Sequence, residues 1–179
     1  QNNSAPTANA GLDATLTCNL NSLTINGSGA GAPGLTFNWI ASNGGNISSG
    51  GNTQSPVIDA PGIYTLTVTN PANGCTITDA VEIFNDANTP TANAGTAPPL
   101  TCVLTQTALN ASGSTGANFS YIWTASGGGN ILNGGNSLSP TVNEPGLYTL
   151  VVTNSSNGCT RSSTVTVSEN VSPPGVDAG

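Results

Sequence analysis

Between Leu35 and Ala41 apolar and polar side chains alternate, with Leu35, Phe37, Trp39 and Ala41 on one face and Thr36, Asn38 and Ile40 on the other. Period two with one apolar side is the signature of a half-buried β-strand. The run from Ile63 to Asn70 repeats it, with Tyr64, Leu66 and Val68 inward and Thr65, Thr67 and Thr69 outward. Threonine suits that solvated face because its β-branch favours extended backbone. Further short runs at Leu12 to Thr17, Ser22 to Gly27, near Ile47, Pro56 to Asp59 and Thr76 to Phe84 are separated by Gly, Asn, Ser and Pro. Together they predict about seven strands in the first half of the chain and an all-β fold.

The second half is the first half again. Trp39 recurs as Trp123, Cys18 as Cys102 and Cys75 as Cys159, each 84 residues on, and no insertion or deletion interrupts the period. "PTANAG" at Pro6 to Gly11 returns at Pro90 to Gly95, and "PGVDAG" at Pro174 to Gly179 reads as the start of a third copy. The expected organisation is a repeat over residues 1–86, a second over 87–170 and the opening of a third over 171–179. Self-similarity of this kind marks a modular array whose useful property is length or valency. The few residues joining the copies include Pro90, which predicts a semi-rigid line of units.

A Trp on a central strand and a Tyr on a late one resemble the immunoglobulin sandwich, so the expectation is two tandem immunoglobulin-like β-sandwiches. Ala60-Pro61-Gly62-Ile63-Tyr64 and Glu144-Pro145-Gly146-Leu147-Tyr148 are similar to its tyrosine corner, in which the phenol bonds to nearby backbone. Trp39, Trp123, Tyr64 and Tyr148 are thus expected in the cores. The cysteines depart from the antibody pattern, because Cys75 follows Tyr64 by eleven residues instead of two.

The Trp strand, the motif SP-x-x-x-x-PGxYTLxVTNxxNGC and the opening PTANAG…LTC resemble the Ig-like or PKD-like tandem repeats of giant surface adhesins in Bacteroidota. The resemblance covers both copies. It implies export across the outer membrane by the type IX route and a role in surface attachment or gliding, as a stalk or filament segment that bears tension and spaces a distal binding element from the cell. The implied partners are neighbouring repeats, other copies of the chain in a filament, and a host, prey or abiotic surface met by that distal element. A repeated weak glycan- or protein-binding module acting by avidity is the alternative.

Composition narrows the chemistry. The 179 residues carry a net charge of −7, with no His, no Met and one cation, Arg161. Phosphate backbones and anionic membranes are bound by clustered Lys and Arg, so nucleic acid and membrane-surface partners are not expected. No apolar run approaches a membrane span and none forms a secretory signal segment. With no His or Lys to act as a base and no carboxylate pair repeated in matching context, no enzymatic activity and no cofactor are expected.

Four cysteines in two equivalent pairs point to an oxidising compartment, extracellular or at the cell surface. The pairing that respects the repeat while closing each unit on itself is Cys18 with Cys75 and Cys102 with Cys159, with free thiols as the alternative. Each such bridge would close 57 residues, stabilise its unit by about 4 kcal/mol and shield most of the repeat from extension. A metal reading lacks ligands, because shifting Asp13, Asp79, Glu82 and Asp86 by one period gives Ala97, Ser163, Thr166 and Asn170. The Gly- and Asn-rich loops Ser42 to Asn52 and Ser126 to Asn136 could present a sugar-binding surface, although turn chemistry accounts for them better. Ile40 and Ile122 point outward at equivalent positions, which makes them candidates for a periodic lateral contact between chains.

Overall fold

The computed structural model describes residues 4–116 and 118–171. The segment expected to open a third repeat therefore lies almost wholly outside the described residues. The chain divides into two compact units, Gln1–Ala87 and Asn88–Gly179. Each is all-β, with no helix among the described residues.

In the first unit the strands are β1 (Thr7–Asn9), β2 (Ala14–Thr17), β3 (Leu23–Thr24), β4 (Ser28–Ala30), β5 (Thr36–Ser42), β6 (Ile47–Ser49), β7 (Val57–Ile58), β8 (Gly62–Thr69) and β9 (Thr76–Asp86). A four-stranded sheet runs in the order β2-β9-β8-β5, and a three-stranded sheet in the order β3-β7-β6. The alternating strands supply the layer between them. Trp39 from β5, Tyr64, Leu66 and Val68 from β8, Val81 and Ile83 from β9 and Leu16 from β2 pack with Ile25 and Ile58 of the other side into one buried cluster. Two antiparallel pairings, β5 with β8 and β8 with β9, hold the strands that carry most of it.

The opening PTANAG, too small and polar to show alternation, forms β1 paired with β4. Gly11, at φ 96°, then turns the chain, a conformation open to glycine at no steric cost. Beyond it β2 leaves that pairing and lies parallel to the end of β9, with Ala14 opposite Ile83 and Thr17 opposite Asp86. The run Ser22 to Gly27, expected as one strand, is divided. Leu23–Thr24 pairs with β7, while Ile25 and Gly27 donate singly to Pro56 and Gln54 carbonyls before β4 turns to β1.

The second unit comprises β10 (Leu100–Thr101), β11 (Thr107–Ala108), β12 (Phe119–Ser126), β13 (Ile131–Asn133), β14 (Thr141–Val142), β15 (Gly146–Asn154), β16 (Thr160–Val167) and β17 (Glu169–Asn170). β12-β15-β16 and β11-β14-β13 form its two sheets, and β10 pairs in parallel with β17. β16 and β17 together occupy the place of β9. Trp123, Tyr148, Leu150, Val152, Val165 and Val167 fill its core with Leu109 and Val142. Each unit is an immunoglobulin-like β-sandwich.

Candidate functional site

Three features recur in both units: a tyrosine corner, an asparagine-built turn that bears one cysteine, and a threonine-closed turn that bears the other.

At the corner, the Tyr64 hydroxyl accepts a hydrogen bond from the Asn46 backbone N–H at 2.9 Å and donates to the Ala60 carbonyl at 2.5 Å. Tyr148 accepts from Asn130 at 2.9 Å and donates to Glu144 at 2.6 Å. Both rings are fully buried. Burial pushes the Tyr64 hydroxyl above its ordinary pKa of 10.0, opposed by the bonds to Asn46 and Ala60, with the nearby Asp59 charge adding to the rise. The Gly-rich loop rests on the ring. A Cβ on Gly62 would lie 2.5 Å from the Gly45 nitrogen, and one on Gly146 would lie 2.5 Å from that of Gly129. The amide of Asn46 is spent on Asp59 at 2.7 Å, and that of Asn130 on Asn143 at 2.8 Å. The repeated Gly-Gly-Asn thus braces the corner, which leaves fewer polar atoms in these loops for a sugar. Trp39 and Trp123 are each 4% exposed, with their indole N–H groups donating to the Thr53 and Ser137 carbonyls. Neither presents a stacking face.

The turn after the Tyr strand carries the motif Asn-x-x-Asn-Gly-Cys. Asn70 Oδ1 accepts from the Ala72 N–H, and Asn73 Oδ1 accepts from the Cys75 N–H at 2.9 Å. Asn73 also reaches the incoming chain, donating to the Ser4 carbonyl at 3.1 Å. In the second unit Asn154 and Asn157 both donate to the Asn88 carbonyl, at 3.1 and 3.0 Å, and Asn157 accepts from the Cys159 N–H. Cys75 and Cys159 therefore mark the upstream end of each unit, where the chain comes in. The recurrence of these asparagines beside each cysteine is visible in the sequence, whereas the carbonyls they reach are not.

The other cysteine sits at the opposite end. Thr17 N–H donates to the Leu20 carbonyl at 2.9 Å, and Leu20 N–H returns a bond to Thr17 Oγ1 at 3.1 Å. Thr101 and Leu104 make the same pair of bonds, both at 2.9 Å. Cys18 and Cys102 are held at these turns, just past the point where Thr17 faces Asp86 and Thr101 faces Asn170. They mark the downstream end, where the chain leaves.

This arrangement overturns the intra-repeat bridges. Cys75 precedes the first residue of β9 and Cys18 lies beside its last, so ten residues of extended strand, about 33 Å, separate them. A disulfide needs Cα atoms about 4.4 to 6.8 Å apart. Cys102 and Cys159 are held apart in the same way by β16 and β17. Cys18 and Cys159 are disulfide-bonded. Cys75 and Cys102 are thiols, the first half-buried and the second exposed. The expected equivalence of the four cysteines holds by position but not by chemistry, since Cys18 is bonded and its counterpart Cys102 is a thiol.

The carboxylates serve locally. Asp79 accepts from the Ala10 N–H at 2.7 Å, and Asp13 accepts from the Glu82 N–H at 2.9 Å. Ile40 and Ile122 are 60% and 51% exposed on the outer faces of β5 and β12. Ile40 stands opposite Thr65 and Ile122 opposite Val151.

No protein-family model matches this chain, and no curated protein does. Among solved structures it is similar to the titin domains Z1Z2 seen in complex with telethonin, at 19% identity and a TM-score of 0.37, covering 97% of this chain and all of that one. It is similar to the two immunoglobulin domains of DIP-gamma at 11% identity and a TM-score of 0.40, covering 94% and 98%. The PKD domain of human KIAA0319 matches 50% of this chain and 89% of its own length at 17% identity and a TM-score of 0.38. These neighbours are immunoglobulin-like and PKD-like domains.

Proposed function

We propose that this chain is a structural repeat segment, a stalk or filament piece, of a long secreted bacterial surface adhesin of the Bacteroidota tandem-repeat type that it resembles. In this reading it is exported by the type IX route, catalyses nothing, carries tension, and spaces a distal binding element from the cell. That element meets the host, prey or abiotic surface, while the repeats contact their neighbours in the chain and other copies in a filament.

The observation that supports this best is the parallel pairing of β2 with the end of β9, the last strand of the first unit. In the first unit the chain comes in at the end held by Asn73 and leaves after Asp86 at the other. Pulling these points apart draws β2 and β9 in opposite directions along their common axis. The hydrogen bonds between them are then loaded together in shear, whereas a hairpin pulled at its open end loses its bonds one at a time. The disulfide adds the expectation of an oxidising, extracellular setting. The outward Ile40 and Ile122 supply the lateral contact between chains.

Single-molecule force spectroscopy on the reduced protein tests the reading. Pulling through the termini should need several-fold more force per unit than pulling through handles placed at Pro61 and Asp86, the open end of the β8–β9 hairpin, which peels β9 away. Equal forces in the two geometries would remove the mechanical role. The avidity alternative predicts retention of the isolated chain on a glycan array or on cells, and the structural reading predicts none.

A further inference from the structure

Within the first unit, β2 is the edge strand of one sheet and β3 that of the other. Beside them lies a cavity of about 440 Å³, lined by Leu12, Asp13, Ala14 and Leu23 over a floor of Ile25 and Ile83. The floor belongs to the core, since Ile25 and Ile83 are both buried, whereas Leu12 on the rim is 91% exposed. Asp13 spends one carboxylate oxygen on the Glu82 N–H, at 2.9 Å, and its other oxygen makes no bond among the described residues. The groove thus joins an apolar trough to one available carboxylate oxygen at its mouth.

The second unit shows what the sandwich requires at these positions. One period on, Leu12, Asp13, Ala14 and Leu23 become Thr96, Ala97, Pro98 and Thr107, while Ile25 and Ile83 stay aliphatic as Leu109 and Val167. The floor is kept in both units, but the apolar rim and its acid are lost together in the second. Neither is therefore demanded by the fold.

We propose that this groove takes up a lysine side chain of a partner protein, with the methylene stem along Leu12 and Leu23 and the ammonium on the Asp13 carboxylate. Charge selects a cation, because the first 87 residues hold five acids and no Lys, Arg or His. A lysine stem covers apolar surface while its head stays in water, which matches a trough with an acid at its mouth. Arginine fits less well, since its planar fork engages both oxygens of a carboxylate and one of Asp13's is spent. The occupant is not a second copy, as this chain has no lysine. An exposed ion pair contributes little alone, so one lysine is held with millimolar affinity.

The test titrates the 179-residue protein with Nα-acetyl-lysine amide and follows backbone amide shifts by NMR. Saturable shifts are expected at Leu12 to Ala14 and Leu23 to Ile25, with none at Thr96, Ala97 or Thr107. Nα-acetyl-norleucine amide, which keeps the stem without the ammonium, should bind about threefold more weakly, and added salt should narrow that gap. Asp13→Asn keeps an oxygen for the Glu82 N–H while removing the charge, and should abolish the advantage of lysine over norleucine. Leu12→Thr, made outside the core, should weaken both ligands alike. Absence of saturable shifts, shifts spread equally over Asp59, Asp79 and Glu144, an advantage that survives Asp13→Asn, or undiminished binding by Leu12→Thr would each overturn the proposal. Tighter binding of putrescine than of the lysine amide would overturn it too, by giving the groove to a free polyamine. The inference does not rest on the filament reading, and neither experiment decides the other.

Discussion

Tyr64 shows how much of a unit rests on one hydroxyl. It satisfies the Asn46 N–H and the Ala60 carbonyl from inside the core, and an orphaned buried partner costs about 1–3 kcal/mol. Its proton is tied to stability. With the folded pKa raised above 10.0, the neutral phenol is the form that the fold favours. Its contribution is fully present below about pH 10, and is lost as the pH climbs through the folded value. We expect the melting temperature of the first unit to fall on that alkaline limb, and Tyr64→Phe to flatten the limb while lowering stability near neutral pH. Phenolate absorbance read alongside melting checks it. Ionisation of Tyr64 at the ordinary pH of a free phenol, about 10, would remove the coupling. The corner was legible in the sequence because Pro-Gly-x-Tyr is a local signal, whereas the roles of Asn46, Asn73 and Asn157 were not. Their partners lie 18 residues away at Tyr64 and 69 residues away at Ser4 and Asn88, and nothing in an asparagine announces which distant carbonyl it will find.

At the level of elements, alternation identified β5, β8 and β9 and their counterparts, since each has one face in the core and one in water. It missed β1, whose Thr, Ala and Asn carry no apolar contrast, and its partner β4, and it carried β3 on to Gly27, where single bonds to the Pro56 and Gln54 carbonyls replace the ladder. The cysteine pairing failed for a related reason. Spacing along the chain says nothing about strand direction, and closure entropy changes so slowly with length that a loop of 57 residues favours no one partner over another. The turn at Gly11 and the parallel run of β2 along β9 carry Cys18 away from Cys75. Where loops and strands meet, the backbone itself is close packed. Gly146 begins β15 with its α-carbon facing the Gly129 nitrogen, 2.5 Å from any added Cβ. Gly146→Ala should destabilise the second unit by about 1–3 kcal/mol and leave the first unchanged. Denaturant unfolding with Trp39 and Trp123 as separate reporters, each examined in a Trp→Phe background, measures this. An unaltered second transition would show that the loop yields freely.

For the whole molecule, the period of 84 residues puts an exposed isoleucine at the same place on each unit's outer sheet. If filaments of this chain bundle side by side through those faces, replacing Ile40 and Ile122 by Asp should disperse bundles, seen by light scattering and electron microscopy, while both units melt as before. Bundles that persist would place the contact elsewhere.

The asparagine turns also decide where a repeat must be cut. Asn73 holds the Ser4 carbonyl, and Asn154 and Asn157 hold that of Asn88, so each unit is clasped to a residue ahead of its first strand. A second-unit fragment that begins at Asn88 should therefore melt higher than one that begins at Pro90, and equal melting would show the clasp idle. The boundary of a folding unit here is set by a carbonyl that belongs to no strand.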